Sequence, residues 1–160
     1  MKNVAIEIKW ALYFSLMTLA WMLLEKLTGL HGKNIDYQMY LTNLFAIPAI
    51  WFMVMALKDK KKNYYGGHMS YKQGLISGTL LSAFIALLSP LVQWITSYVI
   101  SPEYFPNVIK RSVEIGYYKT TAEAEAVFNY RYYAISSTIF SFVFGVITTA
   151  IAMIFIRSKK

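Results

Sequence analysis

Four long stretches of the chain contain no Asp, Glu, Lys or Arg, and they constrain the fold more than any other feature. The stretches are residues 10–24, 38–57, 74–100 and 133–156. A helix needs about 20 mostly apolar residues to cross the hydrocarbon core of a bilayer, and the first stretch reaches that length with its flanks, over residues 9–28. Only helices and closed barrels satisfy every backbone hydrogen bond in lipid, and none of these stretches alternates as a barrel strand does. The sequence therefore predicts an all-α integral membrane protein with four transmembrane helices.

We expect a single membrane domain over residues 1–160, because four spans leave little chain for a separate soluble core. Glu25 and Lys26 occupy the place where a signal peptide would carry small residues, so helix 1 is expected to remain in the protein. The predicted elements are helix 1 at 9–28, helix 2 at 38–57, a loop at 58–73, helix 3 at 74–100, an outward-facing helical elbow segment at 101–132, and helix 4 at 121–156 with its first turns projecting from the membrane.

The charged residues predict how the chain is threaded. With four spans, the two tails and the loop at 58–73 share one side, which carries ten Lys and Arg against six on the other side. Six of the eight acidic residues lie on that other side. Because basic loops remain in the cytoplasm, we expect both termini and the loop at 58–73 to be cytoplasmic. The net charge of +8 is spread over membrane flanks without a recognition fold, so nucleic-acid binding is not predicted.

A lysine cluster directly follows helix 2. These side chains can meet anionic lipid headgroups, at about 1 kcal/mol per charge near the membrane surface. We therefore expect membrane lipids to be partners of the protein at this end. The cluster consists of Lys58, Lys60, Lys61 and Lys62.

Small residues recur at four-residue spacing in two of the predicted spans. Small side chains let helix backbones approach closely, and such packing drives association in lipid. Either helices 3 and 4 pack against each other, or the seam joins two copies or a partner membrane protein. The seam residues are Gly74, Gly78 and Ser82 in helix 3 and Ser137, Ser141 and Gly145 in helix 4.

Two prolines and three polar residues mark the interior of the spans. Pro48 and Pro90 each remove a backbone hydrogen bond and are expected to kink helices 2 and 3. Asn43 and Gln93 lie within the same two helices and could bond to each other. An intramembrane carboxylate is a functional candidate, but Glu25 lies near the outer end of helix 1, where it can reach the headgroup region and pair with Lys26. We take Glu25, Asn43 and Gln93 as the candidate intramembrane polar site.

The elbow segment carries the signals of two amphipathic helices. Gly116 can end the first, and Thr120 with Glu123 forms a capping box that can begin the second. This segment either caps the end of the bundle or provides a docking surface for a protein or a lipid headgroup.

No catalytic, cofactor-binding or metal-binding constellation is visible in the sequence. His31 and His68 fall on opposite sides of the membrane in the predicted topology, and both are expected to be solvated loop residues. The chain contains no Cys, which excludes thiolate chemistry. We therefore do not predict an enzyme.

The segments "MSYKQGLISG", "LLSPLVQWITSYVISPEYFPNVIKRSVE" and "AEAEAVFNYRYY" resemble domain-of-unknown-function family 4199, a family of small bacterial four-span membrane proteins. The resemblance implies a four-span inner-membrane architecture and brings no activity, cofactor or catalytic residue. We expect a non-enzymatic accessory or scaffold protein of the inner membrane. The alternative is a small transporter or lipid-handling protein that uses the kinked helices 2 and 3.

Overall fold

The computed structural model describes residues 4–158, and its elements are all helical. Within that range, four helical segments are long and apolar enough to cross a membrane: Ala5–Leu27, Ile35–Asn63, Tyr71–Ile100 and Tyr130–Ile156. The prediction of an all-α membrane fold with four spans is therefore confirmed. The helices, in chain order, are α1 (Ala5–Leu27), α2 (Ile35–Leu41), α3 (Ala46–Asn63), α4 (Tyr71–Ile95), α5 (Tyr104–Glu114), α6 (Thr121–Val127) and α7 (Tyr130–Ile156).

The second span is built from three pieces. A 3-10 turn, Thr42–Phe45, joins α2 to α3, and the helix then continues through the lysine cluster to Asn63. The span is thus longer at both ends than the predicted 38–57. Pro48 is the third residue of α3, in the first turn of that helix, where a missing N–H is tolerated.

The third span contains a proline and ends in a wider turn. Pro90 lies inside α4, which continues to Ile95 and passes into a π-helical turn at Thr96–Ile100. The backbone N–H of Ser101 closes this turn by donating to the carbonyl of Thr96 over 2.8 Å. The turn places Ser101 at the end of the span, facing the loop between α1 and α2.

Helix α4 is the centre of the bundle, because it contacts all three other spans and packs most extensively on α7. The seam of small residues forms this α4–α7 contact. A methyl group added to Gly78 would overlap the side chain of Thr149, and one added to Gly145 would overlap Ser82. Gly74 likewise faces Met153.

The hydroxyls of Ser89 and Ser141 extend this contact, with their oxygen atoms 3.1 Å apart. Ser137 donates to the carbonyl of Ala134 within α7 and lies beside the cavity described below. Of the two roles predicted for the seam, its residues take the intramolecular one.

A buried ion pair holds the end of the bundle that carries the lysine cluster, here called the lysine end. The Lys60 ammonium nitrogen lies 2.8 Å from Oε1 of Glu7 on α1, and the Ser77 hydroxyl of α4 donates to the same carboxylate over 2.6 Å. Both charged side chains are almost completely buried. The prediction that Lys60 contacts lipid headgroups is therefore wrong, because α3 continues past Leu57 and turns Lys60 into the core.

The other members of the lysine cluster have different surroundings. Lys61 donates to the carbonyl of Ile156 at the end of α7 over 2.7 Å, whereas Lys58 and Lys62 are exposed. Only the exposed pair remains free to meet headgroups without breaking a contact of the fold.

The elbow segment is fastened to the opposite end of the bundle, here called the elbow end. Arg111 of α5 donates to both carboxylate oxygens of Asp36, at 2.6 and 2.8 Å, in a bidentate pair. Lys26 lies 3.5 Å from Glu103 and also donates to the carbonyl of Ile100. These contacts join α5 to both α1 and α2.

The predicted helix from 121 to 156 is interrupted. Helix α6 ends at Val127, and α7 begins at Tyr130. Asn129 separates them because its side chain caps both helices: its oxygen accepts from the N–H of Tyr132 over 2.9 Å, and its amide donates to the carbonyl of Glu125 over 2.8 Å. The prediction of a helix that rises continuously from Thr121 is wrong at this position.

The α4–α7 contact can be tested by adding volume to it. Gly78→Val should lower the stability of the protein by about 1–3 kcal/mol, because a branched side chain overlaps Thr149 in a packed contact. SDS-titrated unfolding in mixed micelles would measure the loss, and adding Thr149→Gly should recover part of it. Ala20→Val on the exposed side of α1 is the matched control. Equal stability of Gly78→Val and the control would contradict this packing.

Candidate functional site

A buried polar cluster lies at the elbow end, where α1, the loop at 28–34 and the end of the third span meet. Nδ1 of His31 lies 2.6 Å from Oγ of Ser101, and Nε2 of His31 lies 3.2 Å from Oε2 of Glu25. The indole N–H of Trp21 donates to the other carboxylate oxygen of Glu25 over 2.5 Å. Glu25, His31 and Ser101 are 2%, 4% and 1% exposed. These three residues define the site described below.

The local backbone brings His31 back under the end of α1. Gly29 has a φ of 81°, a left-handed conformation that a glycine adopts without strain. The N–H of Leu30 then donates to the carbonyl of Glu25 over 2.9 Å, which folds the loop against the last turn of α1. From the other side, the amide of Asn107 on α5 donates to the backbone carbonyl of His31 over 2.8 Å. The elbow segment thus holds the loop that carries the imidazole.

The hydrogen bonds of the cluster are complete with a neutral imidazole. A carboxylate only accepts, so Nε2 of His31 carries the proton that is shared with Glu25. Nδ1 is then the acceptor, and the hydroxyl of Ser101 donates to it. In this arrangement each of the three polar side chains has a partner, which buried polar groups require.

Two tyrosines close the cluster on the side of α5 and α7. The ring of Tyr104 lies 4.9 Å from the imidazole of His31, and its hydroxyl oxygen lies 3.4 Å from that of Tyr133. Burial raises the pKa of the Tyr104 phenol far above its ordinary value, and the neighbouring Tyr133 adds to this effect. Tyr104 therefore stays a neutral phenol at physiological pH.

The cluster borders a small polar pocket, which adjoins a larger apolar cavity. The polar pocket has a volume of about 190 Å³, and its lining includes Glu25, His31, Ser101, Gln38, Tyr104 and Tyr133. The apolar cavity has a volume of about 590 Å³ and is lined by all four spans. Half of its lining residues are Phe, Ile, Met, Val or Ala, most of the others are Ser or Thr, and its surface is mostly apolar. Both spaces share four lining residues: Met22, Thr42, Gln93 and Thr96.

The structure places the predicted polar residues differently from the sequence-based expectation. Glu25 lies inside the polar pocket and bonds to Trp21 and His31, whereas Lys26 turns away to Ile100 and Glu103, so the predicted pairing of Glu25 with Lys26 is wrong. The prediction of a solvated His31 is also wrong, because the loop folds it into the bundle.

Asn43 and Gln93 do not bond to each other. Asn43 donates to the carbonyl of Met39, and Gln93 donates to Ser97. Both nevertheless line the apolar cavity. Ala49, which follows Pro48, and Ser89, which precedes Pro90, also line this cavity.

The cluster combines side-chain types that also occur in catalytic sites. Ser101, His31 and Glu25 have the side chains of a nucleophile, a base and an acid, but a nucleophilic hydroxyl must reach a substrate carbonyl. Ser101 is almost fully buried. Across residues 4–158, no group of three or more His, Cys, Asp or Glu is arranged to hold a metal ion. What the arrangement offers is a buried carboxylate beside an apolar cavity.

Comparison with known proteins places the chain in a family. A family model described as "Protein of unknown function (DUF4199)" matches residues 9–158, which is nearly the whole chain, and the chain belongs to that family. Neither the curated proteins nor the solved structures gave a match.

Proposed function

We propose that this member of the family is a membrane-embedded binding protein that takes a lipid-like amphipathic molecule into its helical bundle, for lipid handling or transport. One observation carries the proposal: the apolar cavity of about 590 Å³ adjoins the polar pocket of about 190 Å³ through shared lining residues. Ligand sites are concave and mostly apolar, with a few polar groups that fix orientation. A hydrocarbon tail would fill the large space and a polar head the small one.

The position of the cavity supports this role. Its lining includes Thr42 and Phe45 of the 3-10 turn in the second span and Thr96 of the π-helical turn in the third, where the regular α-helical backbone is interrupted. Interrupted helices line binding sites in many membrane transporters. The proposal therefore follows the lipid-handling alternative drawn from the sequence.

We further propose that the protein lies in a bacterial inner membrane with the lysine end in the cytoplasm. The excess of Lys and Arg at that end supports this orientation. The polar pocket would then open near the outer leaflet, where it could receive a molecule from that leaflet or release one into it.

A second candidate role, as an accessory or scaffold subunit, rests on the turn after α5. Ile115 and Tyr117 are 57% and 69% exposed there, on a segment that ion pairs hold in place. A rigid exposed apolar turn can dock a second copy or a partner membrane protein.

Blocking the cavity tests the binding role. Ala49→Phe should weaken retention of co-purified lipid-like molecules at least about tenfold, because a bulky side chain overlapping a ligand costs roughly 1–3 kcal/mol. Native mass spectrometry of the protein released from neutral detergent measures retention. Ala20→Phe adds the same side chain on an exposed face of α1 and should behave like the wild type. Unchanged retention by a folded Ala49→Phe variant would refute the role.

Single cysteines test the orientation, and the absence of native Cys makes the background clean. Lys62 and Lys119 are exposed at opposite ends of the bundle, and the two test variants are Lys62→Cys and Lys119→Cys. In intact cells, a membrane-impermeant maleimide should label position 119 and leave position 62 unlabelled until the membrane is opened. The reverse pattern would overturn the proposed threading.

The scaffold role predicts that Tyr117 lies at a protein interface. A photo-crosslinking amino acid at this position should give one reproducible adduct in intact cells, with a second copy of the chain or with one partner. The same amino acid at the exposed Tyr64, at the lysine end, is the control. Adducts with lipid alone at both positions would count against a scaffold.

A further inference from the structure

The polar pocket has a one-sided charge. Among the residues that the structure describes, its lining contains Glu25 as the acidic residue and no Lys or Arg. The adjacent cation, Lys26, does not line the pocket; it donates to the carbonyl of Ile100 and pairs with Glu103. The pocket is therefore negative when the imidazole of His31 is neutral.

With a neutral imidazole at His31, the donors that bond to Glu25 do not balance its charge. The indole N–H of Trp21 is a neutral group, and the imidazole of His31 completes its own hydrogen bonds without a second proton. Burying a carboxylate without an opposite charge costs several kcal/mol. A bound cation in the pocket would remove much of that cost.

The buried carboxylate at the lysine end shows the contrast within the same chain. Glu7 is equally buried, but Lys60 supplies a full positive charge at 2.8 Å. Glu7 lines neither the polar pocket nor the apolar cavity. One carboxylate is thus paired and enclosed, and the other faces a space that a ligand can enter.

The remaining walls of the pocket also suit a cation. The ring of Tyr104 lies 4.9 Å from that of His31, and Tyr133 contacts Tyr104 edge-on. Aromatic faces attract ammonium groups, by about 0.5–2 kcal/mol depending on desolvation. A phosphate or carboxylate head would instead meet a carboxylate, and the lining formed by residues 4–158 offers no Arg or Lys to bind it.

From this geometry we propose that the ligand of the site is a lipophilic ammonium compound, whose cationic head lies against Glu25 in the polar pocket and whose hydrocarbon tail fills the apolar cavity. The proposal rests on the binding function proposed above and names the class of its ligand. The volumes agree with a small head and a larger tail, about 190 Å³ and 590 Å³. Glu25 supplies the charge, and Tyr104 and Tyr133 form the aromatic wall.

The test compares three probes with the same chain and different heads. Dodecyltrimethylammonium is cationic, dodecylglycerol is neutral and dodecyl phosphate is anionic. Each is titrated calorimetrically into the full chain in phosphatidylcholine nanodiscs, and the heat from empty nanodiscs is subtracted. The wild type should bind the cationic probe at least about tenfold more tightly than the neutral one, a difference of about 1.4 kcal/mol.

Three variants locate the charge. Glu25→Gln should abolish the preference for the cationic probe, and Glu103→Gln, which removes the same charge from a half-exposed residue outside the pocket, should keep it. Gln38→Lys leaves the cluster intact and adds a cation to the lining. It should therefore weaken binding of the cationic probe and leave binding of the neutral probe unchanged. If Glu25→Gln does not fold, the result with Gln38→Lys decides whether the cationic head group is correctly assigned.

The possible failures separate the two proposals. If all three probes bind equally well, or if the cationic preference survives in both Glu25→Gln and Gln38→Lys, the assignment of the head group is overturned while amphiphile binding stands. If no probe binds the wild type above the empty nanodiscs, both the head-group assignment and the binding function are overturned.

Discussion

The close contact between α4 and α7 is the interaction on which the rest of this bundle depends. Lipid tails are as apolar as the side chains of the spans, so helices associate in a membrane through fitted packing and polar contacts rather than through burial from water. Gly78 against Thr149 and Gly145 against Ser82 give that fit. Helix α4 is thereby held at the centre, and α1 and α3 pack on its other faces.

Each end of the bundle adds a buried acidic residue from α1, and the two ends use it differently. At the lysine end, Glu7 is neutralised by Lys60 and bonded by Ser77, so three spans are joined by a closed network. At the elbow end, Glu25 is bonded by Trp21 and His31 and borders an open pocket. The first arrangement stabilises the fold, and the second leaves a charge available for binding. This difference is the physical basis of the proposed ligand class.

The sequence predicts the spans well because an uncharged apolar run of sufficient length has few alternatives in lipid. It also predicts which small residues face a neighbouring helix, since their spacing is a property of a single helix. The candidate site was predicted only in part. Glu25 and Gln93 were selected as intramembrane polar residues, but His31 and Ser101 were not, because no spacing rule links residue 25 to residues six and seventy-six positions away.

The errors have related causes. A lysine run predicts an exposed Lys60, yet the extension of α3 turns this one position of the run toward Glu7. The apolar and helix-forming residues of 121–156 predict one helix, although the side chain of Asn129 ends α6 and begins α7. In both cases a contact made by one side chain, across the bundle or to a nearby backbone, overrides the average character of its segment.

By itself, the sequence determined that this chain forms four membrane-spanning helices with a polar segment between the last two, because hydrophobic length and backbone hydrogen bonding are local requirements. Only the tertiary structure decided which acidic residue is paired and which faces a cavity. That distinction depends on how α1 meets α3 at one end and the loop at 28–34 meets Ser101 at the other. These contacts are set by the packing of helices that are distant in the chain, and they leave no periodic signal in the sequence.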